Sequence, residues 1–283
     1  IIPIFFLFIW SQETVGSWYS FSSFHTIQEC KSSIDNNLIC LTNGGLINYN
    51  LSTNNSEQVS TNDGLTKSKY SNIEIDKFNN VWISSNYNSK NIDVWSNNNL
   101  KVINKFNYNV NEISIMKSDS FNLFAVYNDE NIIGLLHFIW NGSEWKYQDY
   151  YNQFSNEVSE INDIKILNDF IYISTNAGLI KGDLLNNLKN STSWELISEN
   201  VSMKFVKSDP LITLSQNSII HYDENYSETI INFGLNDIID IIFLETYFIL
   251  TDNKFYIFDS EDIIFELPNP YSSNFIDMNL IEE

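Results

Sequence analysis

Leu38–Asn50 reads LICLTNGGLINYN: an apolar run, a Thr-Asn-Gly-Gly turn and a second apolar run. The phrase returns as Val81–Ser96 (VWISSNYNSKNIDVWS), Leu123–Phe138 (LFAVYNDENIIGLLHF) and Ile171–Asp183 (IYISTNAGLIKGD). It returns again as Leu211–Asp223 (LITLSQNSIIHYD) and Tyr247–Asp259 (YFILTDNKFYIFD). Successive copies start 43, 42, 48, 40 and 36 residues apart. A four-stranded propeller blade occupies about 40–50 residues. Each copy is flanked by one strand before and one after. Ile73–Asp76, Val81–Ser85, Ile92–Trp95 and Leu100–Ile103 are the four strands of the clearest unit. In the third unit Phe138–Trp140 faces Trp145–Tyr147 across Asn141-Gly142, a pair suited to a tight two-residue turn with positive φ. No stretch sustains helical periodicity. Leu184–Leu188 is the one candidate helical turn.

These repeats predict an all-β chain, a β-propeller of four-stranded antiparallel blades, in preference to a linear solenoid. Six middle-strand pairs are visible. Asn274–Leu280 (NFIDMNL) reads as a first strand beyond the sixth blade, and Gly16–Phe21 (GSWYSF) as an outer strand before the first. The expectation is six blades plus a partial seventh, the ring being truncated at its C-terminus. Residues 16–283 are then one propeller domain. Residues 1–12 read as a signal-peptide remnant, because Ile1–Trp10 is nearly pure apolar sequence. Ten residues are too few to span a bilayer, which takes about 20, and fit a secretory h-region; a buried strand is the alternative. The expected location is therefore exported: periplasm, cell surface or extracellular space. No segment of this chain is expected to span a membrane.

Composition narrows the partners. Across 283 residues stand 36 acids and 15 basic residues, a net charge of −21, and every basic residue is Lys. Such a surface repels phosphate backbones, which excludes nucleic acid. It also lacks the bidentate guanidinium fork. With 43% apolar residues the chain can bury a real core. The charge is uneven: from Asp223 onward 14 acids accompany Lys254 alone.

The phrase Asp63-Gly64-Leu65, then Ile73, Ile75-Asp76 and Asn79-Asn80-Val81-Trp82-Ile83-Ser84-Ser85, resembles the two-component-regulator propeller repeat. Leu38–Asn50 and Ile171–Leu179 repeat its second half, with Gly45-Leu46 and Gly178-Leu179. Asn80 stands where that repeat has Gly, and Ser84-Ser85 where it has Gly-Thr. An apolar leader followed at once by a propeller is similar to the N-terminal domain of PorZ-type proteins of the Bacteroidetes type IX secretion machinery. That resemblance implies an interaction domain and no catalytic residue.

Chemistry is sparse. His25, His137 and His221 belong to no recognisable constellation, and no nucleophile elbow or zinc-protease helix occurs. No catalytic residue, cofactor or metal ligand is assigned. Calcium is the one ion considered, on the acidic set Asp237, Asp240, Asp252, Glu261 and Asp262, which forms the speculative ligand or ion face. It lacks the spacing of an EF-hand loop. Asp163, Asp237 and Asp240 fall at or near first strands, which line a propeller's axis. Trp140, Trp145 and Trp194 fall near outer strands, where a half-exposed ring could stack on sugar. Cys30 and Cys40 flank the turn at Asp35-Asn36-Asn37, so a hairpin disulfide and two buried thiols are equally open. Three functions stand in order: a non-catalytic scaffold in a cell-envelope or type IX secretion complex, an extracellular ligand-sensing propeller of a two-component-type receptor, and a polysaccharide-acting enzyme. The expected partners are envelope proteins, with a glycan as a further class.

Overall fold

The computed structural model describes residues 23–85, 91–99, 101–155, 157–259 and 262–269. Alternating apolar and polar residues place one side chain per pair on each face of a strand. Here that alternation builds six antiparallel sheets of four strands, arranged in a ring as a β-propeller. Blade 1 is β1 (Ile27–Ser32), β2 (Asn37–Thr42), β3 (Gly45–Asn50) and β4 (Asn55–Val59). Blade 2 is β5 (Asn72–Ile75), β6 (Asn80–Ser84), β7 (Asn91–Ser96) and β8 (Lys101–Asn107). Blade 3 is β9 (Glu112–Ser118), β10 (Asn122–Asp129), β11 (Ile132–Trp140) and β12 (Trp145–Tyr151). Blade 4 is β13 (Ile161–Leu167), β14 (Phe170–Thr175), β15 (Gly178–Asp183) and β16 (Trp194–Ser198). Blade 5 is β17 (Lys204–Lys207), β18 (Leu211–Ser215), β19 (Ser218–Tyr222) and β20 (Glu228–Asn232). Blade 6 is β21 (Ile238–Phe243), β22 (Tyr247–Thr251), β23 (Lys254–Asp259) and β24 (Asp262–Pro268). The first strand of each blade lies beside the first strand of the next, from β1 through β21, so first strands are innermost.

The repeated phrase has a local cause. Thr42 Oγ1 donates to Gly45 O at 3.0 Å and accepts from Gly44 N at 3.1 Å. In blade 4 Thr175 Oγ1 donates to Gly178 O at 2.8 Å and accepts from Ala177 N at 3.1 Å. Both glycines have positive φ, +136° and +114°. A Cβ on either would stand 2.1 Å from the last carbonyl of the outer strand, Val59 O or Ser198 O. Thr-Asn-x-Gly therefore closes the middle hairpin while letting the outer strand approach. The Asp-Gly-Leu element has its own cause. Asp63 Oδ2 accepts from Ser60 N at 2.8 Å and from Ser60 Oγ at 3.0 Å, Gly64 takes φ +100°, and Leu65 is buried.

Packing between blades supplies the core. Apolar clusters join blade 1 to 2, 2 to 3, 3 to 4, 4 to 5 and 5 to 6. Trp82, fully buried, stacks on Phe106 at 5.4 Å and meets Phe138 and Trp145 edge-on. Removing such a ring costs about 3–5 kcal/mol.

Several expectations need correcting. Asn141-Gly142 is not a two-residue turn: Trp140 pairs with Trp145, leaving the four-residue loop 141–144. Asn141 Oδ1 accepts from Ser143 N at 3.0 Å and Glu144 N at 2.9 Å, and this side-chain turn needs the extra residues. Leu184–Leu188 is a pair of turns, not a helical turn; the short 3-10 element lies later, at Ser191–Ser193. The expected signal remnant, Gly16–Phe21 and the seventh-blade strand Asn274–Leu280 lie outside the described residues. No described helix is long and apolar enough to cross a membrane.

Candidate functional site

The six first strands surround an axial cavity of about 390 Å³, lined among others by Glu29, Lys31, Lys117, Asp163 and Lys204. Sheet edges converging on an axis cannot interdigitate as faces do, so polar side chains occupy this space. The innermost strands carry Glu29, Glu74, Glu112, Asp163 and Asp240 against Lys31, Lys117, Lys165, Lys204 and Lys207. These ten charges cancel, so the net −21 of the chain lies off the innermost strands.

Four of these acids are engaged. Glu29 pairs with Lys31 at 3.6 Å and accepts from the main-chain N–H of Ile73 in the next blade. Glu74 Oε1 accepts from Ser118 N and Oγ at 2.8 Å, again in the next blade. Asp163 takes Lys117 at 3.8 Å and Phe205 N at 2.9 Å. Asp240, buried, accepts from Lys204 Nζ and from Ile241 N at 2.7 Å. Burial raises the Glu29 carboxyl above its usual range, while Lys31 and Lys117 pull it back. Burial lowers the Lys165 ammonium, helped by Lys117, while Asp163 and Glu74 oppose. Lysines and backbone donors thus hold the axial acids as acceptors. Acid–base hydrolysis instead needs one protonated and one free carboxyl facing a common point.

A second pocket, of about 340 Å³, opens at the boundary of blades 2 and 3. Beneath it Asp76 is buried and gathers five donors. Oδ1 accepts from Phe78 N and Asn80 N, each at 2.9 Å. Oδ2 accepts from Asn80 Nδ2 at 3.0 Å, Trp82 Nε1 at 3.0 Å and Trp145 Nε1 at 2.7 Å. This carboxylate therefore ties blade 2 to blade 3. Trp140 packs on Phe78 with ring centres 4.0 Å apart at the pocket wall, and Asn98, Asn99 and Glu144 stand at its rim.

The sequence-derived candidates divide. Trp140 is half-buried, but Trp145 and Trp194 are buried and not half-exposed as expected. Asp76 draws in the first indole, and the carbonyl of Leu188 accepts from the second at 3.0 Å. Asp163 and Asp240 do reach the inner strands. Asp237 is exposed just before β21, and Asp252 lies in the β22–β23 turn at the same end of the sheet. Asp262 opens β24 beside Asp259 at the opposite end, and Glu261 lies outside the described residues. Among the described residues no cluster of three or more His, Cys, Asp or Glu assembles as a metal site. Cys30 and Cys40 face each other across β1 and β2 and are joined as a disulfide. His137 is buried; its Nε2 lies 3.0 Å from Asn122 Oδ1 and its Nδ1 3.1 Å from Tyr151 Oη. Sequence reasoning missed Asp76 and the axial lysines. The signal for the lysines was the recurrence of charged residues within first strands, and for Asp76 its place in the repeat phrase just before Asn79–Trp82.

No family model and no curated protein sequence matches the chain. Solved structures do. The AfRom2 CNH domain matches over 89% of this chain and 88% of its own, with TM-score 0.65 and 10% identity. The β-propeller domain of Myceliophteria thermophila Cps50 (Swd1) matches over 88% of each chain, with TM-score 0.64 and 10% identity. A chain of the mitotic checkpoint complex covers 99% of this chain and 92% of its own, with TM-score 0.69 and 8% identity. At such identities the likeness concerns architecture alone, and the architecture is that of a β-propeller.

Proposed function

We propose that this protein is an exported, non-catalytic β-propeller that serves as an interaction scaffold in a cell-envelope complex, the role that the resemblance to PorZ-type proteins implies. The fold is typical of protein-interaction scaffolds. The observation that carries the proposal is the axis, where lysines and main-chain N–H groups engage Glu29, Glu74, Asp163 and Asp240 of the inner strands. What remains for function is the rigid rim of turns and an acidic exterior suited to a basic partner surface. The Cys30–Cys40 bond supports an oxidising compartment. The test is cross-linking on intact source cells followed by isolation of the protein. The expected result is an envelope protein in fixed stoichiometry, whose capture weakens as ionic strength rises. Recovery of the protein alone, or cleavage of a polysaccharide by the purified chain, overturns the reading.

A ligand-sensing propeller is the second reading, favoured by the pocket beside Trp140. Ring walls and an amide rim suit the C–H face and hydroxyls of a neutral sugar. Trp140→Ala should abolish binding of such an oligosaccharide in calorimetry. Binding that survives this substitution removes the pocket from consideration.

A further inference from the structure

The charges of the inner strands are sorted by height along the axis. Lys31 stands opposite Ile39, Lys117 opposite Phe124, Lys165 opposite Tyr172 and Lys207 opposite Ile212. Each partner lies three residues before Thr42, Tyr127, Thr175 or Ser215, the same place in the repeat. Glu74 and Ile242 fill that position in the other two blades, opposite Trp82 and Phe248. Four lysines against Glu74 give this layer a net charge of +3. The next layer lies two residues away, about 7 Å along the strands. There Leu41, Ser174, Leu214 and Leu250 stand opposite Glu29, Asp163, Lys204 and Asp240, a net of −2.

The acids closest to the lysine layer are already taken. Glu29 pairs with Lys31 at 3.6 Å and Asp163 with Lys117 at 3.8 Å, while Glu74 Oε1 accepts from Ser118. Lys165 is half-buried, and among the described residues no carboxylate lies within 4.0 Å of its ammonium. It feels the like charges of Lys117 and Lys31 together with the opposite charges of Asp163 and Glu74. In a chain of 36 acids against 15 basic residues, an inner ammonium with no carboxylate of its own suits an anion brought from outside. The room exists. The axial cavity of about 390 Å³ reaches Lys31 and Lys117, and Ile115, Met116 and Met203 give it apolar walls. That volume admits a small molecule and no polymer.

We propose that the lysine layer of the axis holds a small oxyanion, a carboxylate or a phosphate group, between the ammonium groups of Lys31, Lys117 and Lys165. Lysines are point charges without a guanidinium fork, so the site selects charge and size rather than a planar shape. The scaffold role does not depend on this site, and the site does not depend on that role.

Calorimetric titration of the full chain with inorganic phosphate and with citrate, at an ionic strength fixed by sodium chloride, tests this. At least one probe should bind saturably, one per chain, and raise the melting temperature. Lys165→Met keeps the apolar stem and removes the charge. It should weaken that binding roughly tenfold or more, the loss expected for a hydrogen bond to a charged group. Lys105→Met, at an exposed position of β8, should leave it unchanged. Lys165→Gln replaces Lys165→Met if the latter unfolds the domain. Binding of citrate alone assigns the site to carboxylates, and binding of phosphate alone to phosphate groups. Absence of saturable binding by either probe overturns the proposal. So does binding unchanged in the Lys165 variant, or weakened equally by Lys105→Met, which would make the effect one of overall charge.

Discussion

Protonation of His137 should destabilise the fold over a defined pH window. The ring lies against Phe124, centroids 4.2 Å apart and nearly parallel, and both nitrogens have neutral partners. Burial, the largest cause, lowers its pKa from 6.5 to about 4, while Asp119 and Asp149 act in the opposite sense. The sign follows from linkage. A base whose folded pKa lies below its unfolded value binds fewer protons when native. Its stabilising contribution is full above pH 6.5 and lost as pH falls toward 4. At 1.36 kcal/mol per pKa unit, the loss is about 2 kcal/mol between pH 7 and 5, and about 3 kcal/mol by pH 4. Most carboxylates titrate below pH 5, so the upper part of the window isolates the imidazole. The assay is urea unfolding of the wild type and His137→Gln at pH 7, 6 and 5. The variant should be less stable at pH 7 but flatter in pH, so the gap between the two should narrow by about 2 kcal/mol. His221 is also lowered by burial, but it titrates in both proteins and cancels in the difference. With three histidines in the chain, ring nitrogen spectra can follow each one. A gap that stays constant from pH 7 to 5, or a directly measured His137 pKa near 6.5, would refute the reasoning.

Asp76→Ala strands two indole N–H groups and three further donors, so it should cost at least about 3 kcal/mol in chemical denaturation, at 1–3 kcal/mol per buried orphan. Asp76→Asn, which keeps one acceptor oxygen, should lose less; equal stability of wild type and Asp76→Ala would show that the carboxylate does not couple the blades. Gly178→Ala forces a Cβ to 2.1 Å from Ser198 O at φ +114°, and should lower the melting temperature far more than Gly142→Ala, whose Cβ meets nothing. Reducing Cys30–Cys40, which closes a loop spanning 10 positions, should cost about 3 kcal/mol by chain entropy, read as a shift in the urea midpoint with reductant.

The architecture was legible because its determinants are local. Thr42 and Thr175 each close a hairpin within four residues, and Gly45 and Gly178 are required by a carbonyl of the same blade. A period of about 40 residues made such local signals recur often enough to count blades. The site was less legible because its determinants cross blades. Trp145 meets Asp76 from 69 positions away, so a tryptophan on an outer strand reads as half-exposed while the fold buries it. Asp163 and Asp240 could be placed at the axis because they fall on first strands, but their partners Lys117 and Lys204 come from the preceding blade, and that pairing is set only by closure around the axis. In a chain this acidic, four acids would repel one another across so narrow a space unless opposed one for one. The axial lysines are therefore best understood as a condition for closing the ring, and the net negative charge of the chain lies off the axis.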